Sequence, residues 1–188
     1  MLSKTKIATA TLTGALALTA AAATVAHASH VPAAATARGT SASAIPRCLT
    51  QHMSAGLHGF QALVGNRGFI LTLTNTANSS CALYGYPGLG LLDAAHHVLP
   101  STTHWGSTYF APDPGRHLIV LSPGETASAD FAFFSGNGTR TDSVATYLEV
   151  TPPNASTHLT VRLPGAPLRI DHGHLSATAL ARHTPYNT

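Results

Sequence analysis

The sequence predicts an all-β fold, an immunoglobulin-like antiparallel β-sandwich of about seven to nine short strands with one disulfide. Three observations support this class. Phe69, Leu71 and Leu73 alternate with Thr72 and Thr74, as in a half-buried strand. Turn-forming residues return about every 8–12 residues, and no convincing helical pattern follows residue 45. The chain has two cysteines, which is typical of a small exported domain with one disulfide.

The predicted strands lie between turn signals. Residues 67–74 form the clearest strand, and the polar run 75–80 ends it. Further strands are predicted for residues 82–92, 97–100, 117–121, 127–133, 144–150, 159–163 and 168–175. Two turns have recognisable types. Asp93-Ala-Ala-His96 predicts a hairpin turn, and Ser122-Pro-Gly-Glu125 places Pro and Gly at the central positions of a type II turn.

Residues 1–28 have the features of a secretory signal peptide. Two lysines precede an apolar stretch, and Ala26-His27-Ala28 predicts cleavage before Ser29. The alternative is an uncleaved membrane anchor, because the stretch is about as long as a membrane span. Residues 29–45 are rich in Ala, Ser and Thr and predict a disordered spacer. Residues 46–188 then have the length of one domain, the β-sandwich.

The basic character of the chain comes mostly from the predicted signal peptide. Lys4 and Lys6 are the only lysines, and the rest of the chain has eight Arg against seven Asp and Glu. A nearly neutral mature protein lacks the strong positive field that nucleic acid or an anionic membrane would need. We therefore expect no nucleic-acid partner, and no stable membrane anchor after cleavage.

Cys48 and Cys81 are predicted to form the disulfide, with Cys48 on or just before the first strand and Cys81 at the start of the third. Two cysteines in an exported chain usually pair, since the compartments outside the cytoplasm are oxidising. The alternative is a pair of free thiols.

Three short motifs give the chain a family resemblance. They are Leu-Thr-Leu-Thr-Asn75, Ser-Cys81-x-Leu83-x-Gly85-Tyr-Pro-Gly88 and Leu121-Ser-Pro-Gly-Glu125-x-Ala127. Together with Cys48 they resemble the domain of unknown function numbered 4232, found on exported proteins and lipoproteins of actinobacteria. The resemblance covers about residues 47–175. It implies a β-sandwich at the cell envelope and no known activity. Family members often carry a lipid-attachment Cys at the signal junction; this chain has none there, which favours release or loose retention.

Two histidines are candidate metal ligands. His172-Gly-His174 places two imidazoles on one side of a strand if the segment is extended. With Asp171 adjacent, such a pair could bind Cu(II) or Zn(II). The alternative is that they are ordinary surface residues of a histidine-rich chain, because no established zinc-binding spacing appears. No cofactor is predicted otherwise.

Three aromatic residues are candidate binding residues. Trp105, Tyr109 and Phe110 lie in one predicted loop, where they could form an exposed patch for a glycan or a protein partner. The alternative is that they pack against the core. The loop Gly85-Tyr-Pro-Gly88 is predicted to be a corner turn rather than a phosphate-binding loop, because no helix is predicted after it.

No catalytic residues are predicted, and the chain is not expected to be an enzyme. Its serines lack the Gly-x-Ser-x-Gly context of a nucleophile. The sequence therefore predicts a secreted or envelope-bound, non-enzymatic binding module for an unknown envelope protein or glycan. The alternative function is extracytoplasmic copper or zinc binding through surface histidines.

The junction at residues 26–28 generates a first prediction. Exported protein should begin at Ser29, because Ala26 and Ala28 are the small residues that signal peptidase requires. Intact-mass analysis of the exported protein measures this directly. A membrane-bound form that still contains residues 1–28 would show instead that the segment is an anchor.

Overall fold

The computed structural model describes residues 45–138 and 140–182, which contain twelve strands and one short helical turn joined by turns and loops. The all-β class is therefore confirmed. The turn is a 3-10 helix, Thr50–His52. The strands are β1 Met53–Leu63, β2 Asn66–Asn75, β3 Cys81–Tyr84, β4 Gly88–Leu92, β5 Val98–Leu99, β6 Thr102–Trp105, β7 Leu118–Leu121, β8 Thr126–Ser135, β9 Ser143–Ala145, β10 Tyr147–Thr151, β11 Leu159–Arg162 and β12 Leu168–Ala177.

Strands outnumber the expected seven to nine because several are very short. β5, β6 and β9 contain two, four and three residues, too few for a periodic pattern. The predicted signal peptide, residues 29–44 of the predicted spacer and residues 183–188 lie outside the described residues. In residues 45–138 and 140–182, no helix is long and apolar enough to cross a membrane.

The strands form three sheets. The largest has the order β1-β2-β8-β12-β6, with β9 also pairing β12; the second has the order β11-β10-β4-β5; β3 and β7 form the third. Pairing is antiparallel except between β6 and β12, which are parallel. Leu71 and Leu73 of β2, Leu148 of β10 and Leu121 of β7 belong to one buried cluster. All three sheets therefore share a single hydrophobic core.

The long strand β1 was not delimited by the sequence pattern. Its eleven residues include Gly56 and Gly59, and its pairing with β2 shifts register between His58 and Gln61. Phe60, inside that bulge, is exposed. Glycines and a bulge both interrupt the alternation from which strands are predicted, so the strand gives a weak sequence signal despite its length.

Both predicted turns are confirmed. Asp93 accepts hydrogen bonds from the backbone N–H groups of Ala95 and His97 at 2.8 and 2.9 Å, and this turn joins β4 to β5. In the second turn the N–H of Glu125 donates to the carbonyl of Ser122 at 3.0 Å, and Gly124 has a φ of 78°. A positive φ at this position defines a type II turn and favours glycine.

The predicted disulfide is confirmed between Cys48 and Cys81. Both residues are buried. Cys81 begins β3, and Cys48 precedes β1 by a few residues, as expected. Backbone hydrogen bonds surround the bridge, because the N–H of Cys48 donates to the carbonyl of Ala82 at 3.0 Å and the N–H of Ala82 donates to the carbonyl of Pro46 at 2.8 Å. The bridge thus fixes the start of the domain against β3.

Asn75 ties three segments together next to this disulfide. Its side chain is fully buried. The amide Nδ2 donates to the carbonyl oxygens of Ser79 and Leu121 at 2.9 and 3.0 Å, and Oδ1 accepts the N–H of Ala77 at 3.0 Å. Its backbone carbonyl accepts the N–H of Gly124 at 2.8 Å. One residue therefore joins the end of β2, the turn before β3 and the end of β7.

This geometry predicts that Asn75→Asp destabilises the domain although the two side chains have nearly the same shape. A carboxylate cannot donate to Ser79 and Leu121, so the part-buried carbonyl oxygen of Ser79 and the buried one of Leu121 would lose their donor and face a negative charge. We expect the free energy of unfolding to fall by at least about 3 kcal/mol, measured by chemical denaturation.

Asn78→Asp provides the matched control, because Asn78 is exposed in the same turn. The same charge should there change stability by less than about 0.5 kcal/mol. Equal effects of the two substitutions would contradict the role assigned to Asn75.

Candidate functional site

An exposed group of aromatic rings lies where the chain passes from β3 to β4. We call Tyr84, Tyr86, Trp105 and Arg116 the aromatic shelf. Tyr84 ends β3 and Trp105 ends β6. Gly85 bends the chain between the two tyrosines, with a φ of 98° that favours glycine. The shelf is thus built from strand ends and one tight corner.

The contacts of Trp105 and Tyr86 fix both rings. The rings stack with centroids 5.7 Å apart and planes 16° apart. Trp105 donates its Nε1–H to the carbonyl of Pro87 at 3.0 Å. The Arg116 guanidinium carbon lies 5.3 Å from the centroid of the Tyr86 ring, a distance typical of a cation–π contact. Tyr86 therefore contacts both an indole and a cation.

A hydrogen bond also fixes the far end of Tyr86. Its hydroxyl donates to Oδ2 of Asp113 at 2.5 Å, while Oδ1 of Asp113 accepts the N–H of Ala179 at 2.8 Å. The bond to Asp113 raises the pKa of Tyr86, so its hydroxyl stays protonated. Burial pushes the pKa of Asp113 upward, but the hydrogen bonds from Ala179, Tyr86 and Gly115 prevail and lower it. Asp113 is therefore a charged acceptor that orients the ring.

The shelf borders a small open cavity of about 230 Å³. Trp105 and Tyr84 are 55% and 49% exposed, so part of each side chain is available to a ligand. Pockets for drug-sized molecules measure roughly 300–1,000 Å³, which means that this cavity suits one ring of a larger ligand. It is lined by Tyr84, Gly85, Tyr86, Trp105, Arg116, Pro153 and Asn154.

The structure divides the three aromatic residues that the sequence grouped together. Trp105 belongs to the shelf. Tyr109 and Phe110 contact each other instead, with ring centroids 5.2 Å apart. Tyr109 lines a different cavity, of about 220 Å³, and Phe110 covers Gly68 of β2. The predicted single patch is therefore two separate surfaces, because the chain turns between Trp105 and Tyr109 at Gly106, whose φ is 143°.

Sequence reasoning missed Tyr84, Tyr86 and Arg116 as shelf residues. Tyr86 did lie in the Gly85-Tyr-Pro-Gly88 motif, which was predicted to form a corner turn. That prediction is confirmed, since β4 and not a helix follows the motif. A tyrosine in a tight turn beside glycines could have suggested an exposed ring. Arg116 gave no signal, because its contact with Tyr86 spans 30 positions of the chain.

The histidine pair has a different backbone from the extended strand that its spacing assumed. His172 and Gly173 have φ values of 49° and 66°, and the pairing of β12 with β8 shifts register here. The rings of His172 and His174 are nevertheless 5.8 Å apart, and His104 lies 6.0 Å from His174. His172 is within hydrogen-bonding distance of Asp171, at 2.9 Å.

All three of these histidines are exposed. Within the described ranges, no three His, Cys, Asp or Glu side chains form a group that could hold a metal ion. The copper or zinc interpretation of His172 and His174 stays a prediction, and it needs a further ligand.

One family comparison gave a match. The model of the domain of unknown function DUF4232 matches residues 48–181. No curated protein sequence and no solved structure matches the chain significantly.

Asp130 is a buried carboxylate that is not part of the shelf. It lies in β8, with no exposed surface, and accepts a hydrogen bond from the hydroxyl of Thr108. Burial raises its pKa to about 6, against an ordinary value of 3.8. Raised carboxylate pKa values often mark catalytic sites, but a substrate needs access, and Asp130 is enclosed. We therefore expect the protonation of Asp130 to affect the free energy of unfolding of the domain.

The pKa of Asp130 predicts a fall in stability between about pH 4 and pH 6. A raised pKa means that the folded state binds the proton more tightly than the unfolded state does. The stabilisation that comes from this proton is complete below the pKa of the unfolded state and is lost as pH rises through about 6. We expect the wild type to lose about 2 kcal/mol across this range relative to Asp130→Asn.

Chemical denaturation of both proteins at several pH values measures this difference. Three other carboxylates do not disturb this comparison, because they are present in both proteins. Their pKa values are lowered, so the stabilisation they provide is lost only at lower pH; they are Asp93, Asp113 and Glu125. Parallel stability curves for the wild type and Asp130→Asn would contradict the prediction.

Proposed function

Because the chain belongs to DUF4232, a family whose description assigns no function, we propose a function from the site itself: an exported, non-enzymatic binding module of the cell envelope or extracellular space. The predicted signal peptide and the disulfide support export. The aromatic shelf is the proposed binding surface.

The observation that carries this proposal is the fixed orientation of exposed Trp105. Its Nε1–H is used by Pro87, and its ring is stacked on Tyr86. More than half of the residue is nevertheless exposed. A large aromatic side chain that is already ordered loses little conformational entropy when a ligand binds. Exposure combined with such fixation favours a binding role over simple packing.

A glycan is the ligand class that the shelf fits best. The face of an aromatic ring carries partial negative charge, so it attracts the polarised C–H groups on one face of a sugar ring. Arg116 and Asn154 at the cavity edge offer hydrogen bonds to hydroxyl groups. The volume of about 230 Å³ suits one sugar unit of a chain that continues into solvent.

The non-enzymatic part of the proposal is supported by the positions of the ionisable groups. Asp130, whose raised pKa would suit acid–base chemistry, is enclosed beneath Thr108. At the shelf, Asp113 is occupied by Tyr86 and Ala179. Both carboxylates hold neighbouring residues in place. This supports binding, and not catalysis, as the role of the surface.

We infer an immunoglobulin-like β-sandwich in an actinobacterial exported protein. Support comes from the predominantly antiparallel pairing and from one core shared by the three sheets. Parallel pairing of β6 with β12 is a departure from a purely antiparallel sandwich.

The binding proposal predicts that Trp105→Ala reduces retention of the mature protein on a cell-wall fraction at least about tenfold, the effect of losing one stacking residue worth roughly 1.5 kcal/mol. Co-sedimentation with purified actinobacterial wall measures retention. Tyr109→Ala is the matched control, because Tyr109 is 53% exposed against 55% for Trp105 but lines the other cavity. Thermal unfolding should verify that both variants are folded.

Treatment of the wall fraction distinguishes the ligand classes. Retention that survives protease but is lost after enzymatic digestion of wall glycans supports the glycan. Retention lost to protease identifies a protein partner instead. Equal retention of the wild type and Trp105→Ala would contradict the shelf as the binding surface.

A further inference from the structure

A second and larger cavity lies on the six-stranded sheet and shares no lining residue with the shelf. We call it the arginine cleft. Its volume is about 510 Å³, inside the range of roughly 300–1,000 Å³ typical of small-molecule sites. Phe60, Phe133 and Leu168 contribute apolar surface, and Arg67 and Arg169 contribute positive charge.

The bulge in β1 directs an aromatic ring into this cleft. Gly59 and Phe60 fall between the paired residues His58 and Gln61, where the register shifts. The Phe60 ring is 5.3 Å from the ring of Phe69 and is 57% exposed. Bulges often re-aim side chains beside functional sites. Here the bulge adds an exposed apolar wall to the cleft.

Within the part of the chain that the structure describes, neither Arg67 nor Arg169 forms an ion pair with a carboxylate. Arg67 donates Nε–H to the hydroxyl of Ser135 at 2.5 Å and lies 5.9 Å from the Phe60 ring centroid, which leaves its terminal nitrogens as donors. Arg169 is exposed. In residues 45–138 and 140–182, the basic partners in the ion pairs of acidic side chains are Arg182 and three histidines, and neither Arg67 nor Arg169 is among them.

The two arginines lie on the two strands that pair with β8, one on each side of it. Arg67 pairs with Phe133 across β2 and β8, and Ile170, next to Arg169, pairs with Ser135 across β12 and β8. The two cations therefore flank the end of β8, and neither is neutralised by an acidic lining residue. An anionic group placed there would gain charge-assisted hydrogen bonds.

We propose that the arginine cleft binds an amphiphilic anion, an apolar chain or ring that ends in a carboxylate or a phosphate. The apolar part lies against Phe60, Phe133 and Leu168. The anionic group is bound by Arg67 and Arg169. This site is independent of the shelf, so either binding activity can fail without the other.

Titration calorimetry on the mature protein tests the proposal, with ligands kept below their critical micelle concentrations. The probes are dodecanoate, dodecyl phosphate and the uncharged dodecanol. We expect dodecanoate or dodecyl phosphate to bind at least tenfold more tightly than dodecanol, and the better of the two identifies the headgroup. Equal affinity for dodecanol, or no binding of any probe, overturns the proposal.

Variants locate the binding in the cleft. Arg169→Gln should weaken binding of the anionic probe about tenfold or more, and Phe60→Ala should weaken both charged and uncharged probes. Arg162→Gln is the matched control, because Arg162 is exposed at the end of β11 and lines neither the cleft nor the shelf cavity, and it should leave the affinity unchanged. Since Arg169 makes no side-chain hydrogen bond within the described ranges, its variant is expected to fold normally. Unchanged affinity in Arg169→Gln would overturn the assignment.

Discussion

The buried side chain of Asn75 is the interaction on which the arrangement of the domain depends. Both hydrogens of its amide and its oxygen are used, by Ser79, Leu121 and Ala77. A buried amide with all partners satisfied specifies one geometry, because any shift of a neighbouring segment leaves a polar atom without water or protein. Close by, Cys81 is bonded to Cys48, which adds a covalent constraint. Asn75 and the disulfide together hold the end of β2, the start of β3 and the end of β7 in fixed positions.

This network contains residues of all three motifs on which the chain's family resemblance was based. Asn75 closes the first motif, Cys81 is the second residue of the second motif, and Pro123 and Gly124 form the turn of the third. The motifs therefore contain the residues of a structural joint. Tyr86 is the exception, since it is part of the second motif and also of the shelf. The proposed binding shelf lies on strand ends and a corner turn that this frame supports.

The sequence predicted features that depend on neighbours in the chain. The strand around Leu71, the type II turn at Gly124 and the corner at Gly85 all follow from local pattern and turn chemistry. The disulfide was predicted from the expected export of the chain and from its having two cysteines. Features that depend on distant contacts were missed: the bulge at Phe60, the division of Trp105 from Tyr109, and the arginine cleft, whose residues come from β1, β2, β8, β12 and the loop before β12. Single-sequence periodicity carries no information about such long-range placement.

Hydrogen exchange at the joint tests this account most directly. Gly124 lies in an exposed turn, yet its N–H donates to the carbonyl of Asn75 at 2.8 Å, and the N–H of Ala77 donates to Oδ1 of Asn75 at 3.0 Å. If the joint opens only when the whole domain unfolds, both amides should exchange with the free energy of global unfolding measured on the same sample. Exchange of Gly124 and Ala77 at the rates of an open surface turn would contradict the central role of Asn75.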